Sequence, residues 1–304
     1  MRILVVGAGA TGGLFGARLA HAGRDVTFLV RAARAAQLRE HGLAVLSPLG
    51  DFRIAPQIAQ SETITAPFDL ILLGLKAYQL DAAIEDFAPA VGPQTLILPM
   101  LNGMGHVDVL ARRFGEEAAL GGVCLVSSTV DDHGRIVQLH EMQGLVYGER
   151  SGARTERMLA VDAALQGAGF TATLSGDVVH AMWDKWLFIA ALAASTCLLR
   201  GTIGDIVAAG GTPVIEGIYE ECAAVMRAAG YEPTTVLVGD ARARLTTPGL
   251  QLAASMYRDM LAGSRVEADA ILGDLLERAR GFGLATPLLA AAYTQLNVYQ
   301  RALP

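Results

Sequence analysis

The chain of 304 residues is 52% hydrophobic and 18% charged, which excludes a disordered protein and leaves ample length for two domains with large cores. A net charge of −6, with no Lys/Arg cluster, excludes nucleic acid as the main partner. Cys124, Cys197 and Cys222 are scattered without metal or redox spacing, so buried thiols in a reducing, cytoplasmic compartment are expected, and no metal.

Residues 2–6 read as a strand that runs into Gly7-Ala8-Gly9-Ala10-Thr11-Gly12, glycines spaced G-x-G-x-x-G, with an alanine-rich helix over residues 13–21 behind them. Gly7 lets the chain leave the strand through a tight turn, Gly9 keeps a side chain away from a pyrophosphate, and Gly12 lets the helix pack closely on the strand. The helix N-terminus adds unpaired N–H groups and a positive dipole end, so these six residues read as a dinucleotide-binding turn. They also break the apolar run that a signal peptide would need.

Gly23 ends the helix, and residues 25–30 form a second strand. An NAD enzyme usually places Asp or Glu at its end, to accept hydrogen bonds from the ribose hydroxyls. This chain has Arg31, followed by Arg34. A guanidinium suits a 2′-phosphate, so NADP(H) is the expected cofactor, and FAD is disfavoured for want of the same acid.

A helix over 33–41, a hairpin over 43–54 and two apolar runs, 69–74 and 95–99, follow in order; the runs read as parallel strands buried on both faces. They end at Lys76 and Asn102. Ligands of open α/β sheets bind beyond the carboxyl ends of the strands, where Gly7, Arg31, Lys76 and Asn102 all fall. Between 121 and 174, three short strands (122–126, 135–140, 145–147) read as an antiparallel extension, followed by a helix (155–167) and a last strand (170–174). Beyond Asp177, an expected N-cap, the pattern is helical: 178–200, 212–230, 233–245, 266–281 and 288–299. The expected fold is therefore α/β, a Rossmann-type doubly wound sheet with an antiparallel extension in a domain spanning 1–175, followed by an all-α domain spanning 176–304. The apolar run 186–199 falls short of the roughly 20 residues that a bilayer span needs, so no membrane partner is expected.

Lys185, in Met182-Trp183-Asp184-Lys185-Trp186, would by pattern alone be a snorkelling lysine at the start of an apolar helix. Taken with Gly7 to Gly12, Lys76-Ala77, Asn102-Gly103, Ser255-Met256, Asp259 and Glu267, however, it occurs in an order and approximate spacing that resembles the ketopantoate reductases (2-dehydropantoate 2-reductases). The similarity covers essentially the whole chain, through the helix-ending turn between Gly281 and Pro287. It implies that NADPH lies across the glycine turn, in an interdomain cleft, with Arg31 near its 2′-phosphate, and reduces the C2 carbonyl of a small-molecule 2-keto acid. The leading substrate is ketopantoate, reduced to pantoate in pantothenate biosynthesis.

The resemblance also assigns roles. Lys185 is the general acid, because a carbonyl accepting hydride builds negative charge that a nearby ammonium stabilises and protonates. Glu267 hydrogen-bonds the substrate hydroxyl and helps to position Lys185, or alternatively serves as a carboxylate at a helix N-terminus. Ser255 holds the substrate carboxylate, with an N-cap as its other use. Lys76 and Asn102 orient cofactor and substrate, and Asp259 braces the loop before Glu267. His21, His106 and His180 read as surface or capping residues.

One departure bears on the substrate. The family carries asparagines four and eight residues after the lysine, on one helix face; here they are Ile189 and Ala193. Either Ser195, Thr196 or a backbone amide replaces them, or the substrate is a different, more apolar keto compound. A paralogous reductase of another 2-keto acid and a non-catalytic NADP(H)-binding sensor are the alternatives; a sensor has no reason to keep both Lys185 and Glu267. A homodimer is compatible with the apolar helical half.

Overall fold

The computed structural model describes residues 1–303. The chain divides into two compact units: Met1–Leu101 with His106–Val179, and Asn102–Gly105 with the chain from His180 onward.

The first unit is built on five parallel strands: β1 (Arg2–Val6), β2 (Asp25–Leu29), and further along the chain a short strand (Gln57–Ala59) and the apolar runs Leu70–Leu73 and Leu96–Pro99. Side chains alternate across a strand, and here both faces are covered. Ile3, Val5, Leu70 and Leu72 enter one hydrophobic cluster, while Leu4, Val6, Ile71 and Leu73 enter another. The first cluster takes in Leu14 and Phe15 of α1 (Ala10–His21) and Leu38 of α2 (Ala32–His41). Fully burying one such Leu or Ile contributes about 1.5–3 kcal/mol, so continuous apolar runs are what fix these strands at the centre.

After α2 the chain forms β3 (Leu43–Leu46) and β4 (Phe52–Ile54), an antiparallel hairpin as expected, and then the short strand, β5, which the sequence pattern did not reveal. β6 (Leu70–Leu73), α3 (Leu80–Phe87), β7 (Leu96–Pro99) and α4 (Gly105–Phe114) complete the central layer. The order is β5-β2-β1-β6-β7, with β1 in register between Val26 and Leu70 at Ile3.

The extension differs from its expected form. Two of the three short strands fuse into one long strand, so that β8 (Gly121–Val130) and β9 (Ile136–Gly148) make a single hairpin with a register shift between Val126 and Ser128. α5 (Glu156–Leu165) and β10 (Thr171–Leu174) follow. The sheet β10-β9-β3-β4 is mixed, because β10 and β3 both pair parallel with β9. It joins the central layer just before β8, where Ile97 donates to the carbonyl of Ala118 and accepts from Leu120.

In the second unit, α6 (Val178–Leu199) is followed by α7 (Ile203–Ala208), α8 (Thr212–Ala228), α9 (Ala241–Leu245), α10 (Ser255–Leu261), a π-helical turn (Asp269–Gly273), α11 (Asp274–Gly281) and α12 (Pro287–Arg301). α6, expected over 178–200, is 22 residues long and by length and composition apolar enough to cross a membrane. Its apolar stretch is 78% buried inside the protein, as suits a core helix.

The helix expected over 233–245 is reduced to α9. The buried carboxylate of Asp184, on α6, accepts from both the backbone N–H and the hydroxyl of Thr234, and so holds residues 231–240 out of helical geometry. Asp240 then caps α9 by accepting from the N–H of Ala243.

Candidate active site

The glycine turn has the local geometry that its spacing requires. Gly7 has φ +91°, a left-handed conformation that other residues adopt only with strain, and its N–H donates to Leu29 at the end of β2. A Cβ on Gly12 would lie 2.2 Å from the carbonyl oxygen of Gly7, so only glycine lets α1 approach β1 this closely. Gly9 is the contrast. It caps α1 without a side-chain bond, and a Cβ there would meet only the Gly74 oxygen, at 4.0 Å.

Space in front of Gly9 and the N–H groups of Ala10, Thr11 and Gly12 opening α1 are what a pyrophosphate needs; the residues present fit a dinucleotide. Sequence reasoning missed Gly74, at the end of β6. A Cβ there would lie 2.3 Å from the Cα of Gly12, so the strand end and the helix start share one close contact. A glycine ending an otherwise apolar strand was the available signal.

The two arginines after β2 separate. Arg31 is exposed, at the N-cap of α2, with no capping bond to tie it down. Arg34 is committed: its guanidinium donates to the carbonyl of Ala8 in the glycine turn, at 3.0 Å, and to that of Gly134 in the β8–β9 turn, at 2.8 Å. Partial burial lowers its pKa without freeing it for a ligand. Lys76 stands half-buried three residues beyond β6, in the same unit, and its backbone N–H donates to Oε1 of Gln79.

The remaining candidates belong to the second unit. Around Lys185, α6 sends consecutive side chains in different directions. Trp183 stacks on Tyr231, with ring centroids 5.9 Å apart, and Asp184 holds Thr234. Lys185 is half-buried, and the Trp186 indole N–H donates to the carbonyl of Ile271 at 2.9 Å. Ile271 lies in the π turn, which begins two residues after Glu267, and π turns often mark functional segments.

Glu267 is 7% exposed. Lys185 and Glu267 are each engaged by neighbouring groups. Asn102, half-buried, precedes Gly103, whose φ of +84° sets it against the same turn: a Cβ there would lie 2.3 Å from the carbonyl oxygen of Ala270. Lys185, Glu267 and Asn102 are thus each next to, or within a few residues of, a contact on one π turn.

Ser255 is exposed and is the first residue of α10; Ala254 holds the N-cap position, so capping does not use the serine. The Ser264 N–H donates to the carbonyl of Asp259, in the loop that leads to Glu267. His106 is buried at 6% exposure instead of lying at the surface, and His180 pairs with the Glu232 carbonyl at 2.7 Å. Among the described residues no group of three His, Cys, Asp or Glu side chains could hold a metal.

The model of the family described as "Ketopantoate reductase PanE/ApbA" matches residues 3–152, and the model of its C-terminal part matches residues 177–300. The chain belongs to the ketopantoate reductase family. As a member it is an oxidoreductase acting on CH–OH groups, with NAD(P)H as its cofactor. The chain is 36% identical over 301 residues to the "Uncharacterized oxidoreductase YkpB" of Bacillus subtilis (strain 168), covering 99% of each. It is 29% identical over 308 residues to a 2-dehydropantoate 2-reductase of Halobacterium salinarum, again covering 99% of each. The crystal structure of 2-dehydropantoate 2-reductase from Geobacter metallireducens GS-15 superposes with a TM-score of 0.86 at 29% identity, covering 98% of this chain and 99% of that one.

The face of α6 that carries Lys185 continues into apolar residues. Ile189 is half-buried and Ala193 is 1% exposed. Ser195 and Thr196 are both 0% exposed, and the Thr196 hydroxyl donates to the Leu192 carbonyl at 2.7 Å. Ser195 lies about 80° round the helix from Lys185 by helical geometry. The Thr196 hydroxyl is thus spent inside α6, whereas the Ser195 hydroxyl, off this face, is buried without a hydrogen-bond partner.

Proposed function

We propose that this protein reduces a 2-keto acid to the 2-hydroxy acid, with NADPH preferred over NADH. What carries the reading is the Trp186–Ile271 bond, which ties the residue beside Lys185 to the turn that follows Glu267.

Residues Gly7 to Gly12 hold the pyrophosphate through the N–H groups that open α1, and Arg31, exposed at the end of β2, pairs with the 2′-phosphate. Bound there, NADPH would supply the hydride that the C2 carbonyl accepts. Lys185 donates a proton from its ammonium to the carbonyl oxygen as negative charge builds on it, and regains a proton from solvent. Glu267 orients Lys185 by accepting from its ammonium. Ser255 binds the substrate carboxylate, and Asn102 and Lys76 orient the acid and the nicotinamide.

Ketopantoate, the substrate named for several relatives, is the first acid to test, with a role in pantothenate biosynthesis. A second reading, another 2-keto acid, is favoured by Ile189 and Ala193 on the helix face of Lys185. Both are cytoplasmic chemistry, in keeping with three buried free thiols. A homodimer is the expected assembly; exposed Leu261 and Val298 give its helical unit apolar surface. The test follows NADPH absorbance across a panel of 2-keto acids that includes ketopantoate. Oxidation with at least one is expected, and none with any would leave a cofactor-binding sensor.

A further inference from the structure

We infer that the acid reduced here carries an apolar side group, without the hydroxyl that distinguishes ketopantoate, and that Ile189 is the residue that selects it. The inference rests on the 2-keto acid reading above and narrows its substrate class.

Successive residues at i, i+4 and i+8 stack on one helix face, so Ile189 and Ala193 continue the line from Lys185 along α6. Ile189 is half-buried and so presents methyl groups beside the lysine; Ala193 is 1% exposed and adds no polar atom. The next residue on this line, Thr196, has its hydroxyl spent on the Leu192 carbonyl at 2.7 Å. Ser195, whose hydroxyl is buried without a partner, lies about 80° off this line and is 0% exposed. For three turns from Lys185, this face offers a substrate no hydrogen-bond donor or acceptor.

Glu267 is 7% exposed, and in the reading above its carboxylate accepts from the Lys185 ammonium. A hydroxyl set against Ile189 would therefore lose its water without gaining a partner from this face of α6. An alkyl group there loses nothing.

Magnitudes separate the two designs. A site built to hydrogen-bond a substrate hydroxyl rejects the analogue lacking it by about 10⁴–10⁵, whereas an apolar site rejects an added hydroxyl by only about 10². Ketopantoate and 3,3-dimethyl-2-oxobutanoate differ by that one hydroxyl and share the carboxylate, the carbonyl and the two methyl groups.

The experiment measures kcat/KM of the wild-type protein for both acids with NADPH. The expected result is a preference of about 100-fold for 3,3-dimethyl-2-oxobutanoate. A preference below tenfold, or one for ketopantoate, overturns the inference. Ile189→Asn returns an amide to the face and is expected to move the ratio toward ketopantoate by tenfold or more; an unchanged ratio in the folded variant overturns the role of Ile189. If the variant does not fold, Ile189→Thr takes its place with the same expected direction. If neither acid is oxidised while another 2-keto acid of the panel is, the inference fails; if none of the panel is oxidised, the reductase reading fails by itself. Calorimetric titration of the two acids into the NADP⁺-loaded protein then reads the same selectivity without turnover, and tighter binding of the dimethyl acid is required.

Discussion

The indole N–H of Trp186 donates to the backbone carbonyl of Ile271 across 85 residues of sequence, at 2.9 Å, and the indole is 1% exposed. This bond joins the start of α6, where Lys185 sits, to the π turn behind Glu267. Trp186→Phe keeps most of the ring volume and leaves that carbonyl without its partner, at a cost of about 1–3 kcal/mol. Urea unfolding should show that loss. Turnover should fall about tenfold, roughly the factor that 1.4 kcal/mol of misplaced transition-state contact produces, while the Kd for NADPH stays unchanged. Normal turnover in a destabilised variant would mean that the bond is only structural.

Gly9 and Gly12 make opposite predictions from the same turn. Gly9→Ala meets open space and has φ −85°, which alanine adopts freely, so Tm should hold while NADPH affinity drops at least tenfold. Gly12→Ala forces a Cβ to within 2.2 Å of the Gly7 carbonyl oxygen, so it should lower both Tm and affinity. Calorimetric binding and thermal denaturation read the two apart. Unchanged affinity in Gly9→Ala would remove the pyrophosphate from this turn.

The arginines also divide. Arg31→Ala, at an exposed position, should leave stability alone and shift the NADPH-to-NADH preference toward NADH by tenfold or more, the scale of losing one charge-assisted contact. Arg34→Ala removes the donor to Ala8 and Gly134, and should destabilise the protein and weaken NADPH and NADH alike. Steady-state kinetics with each nucleotide check both, and a selective loss of NADPH in Arg34→Ala would exchange the roles.

The cysteines should be inert. Burial pushes the Cys197 thiol up to about 12, with smaller opposing effects from Thr196 and Arg200, and burial pushes Cys222 up as well. At pH 8 the native protein should take up no thiol reagent at Cys197 or Cys222, and both should react after unfolding. The sign for stability follows. These thiols stay protonated when folded, while in the unfolded chain they ionise at about 8.5, so their contribution is whole at neutral pH and declines as pH rises from there toward 12. Tyr147, raised by burial and by its bond to Asp162, acts in the same direction. A urea midpoint that rises between pH 7.5 and 10 would contradict this.

The sequence disclosed what local constraints dictate. The strand-turn-helix at residues 2–21 was legible because Gly7 and Gly12 are required by their immediate neighbours, and the central strands because their runs are apolar on both faces. What it hid depends on distant partners. Residues 233–240 read as the start of a helix, yet they carry Pro233, Gly239 and β-branched residues, and Asp184, 50 residues away, takes the Thr234 N–H and hydroxyl. Arg31 and Arg34 look alike in sequence; only the positions of the Ala8 and Gly134 carbonyls separate a solvent-facing cation from a clamp. The π turn was invisible for the same reason, since its contacts with Trp186 and Gly103 come from two separate stretches of chain.

The central claim is that Lys185 protonates the carbonyl oxygen as hydride arrives. Single-turnover oxidation of prebound NADPH by a saturating 2-keto acid measures that step directly in Lys185→Met, which keeps an unbranched side chain of similar length. The account predicts a rate lower by about 10²–10⁴, with the NADPH Kd unchanged. A rate within a fewfold of wild type would contradict it and leave Lys185 a lysine at the start of an apolar helix.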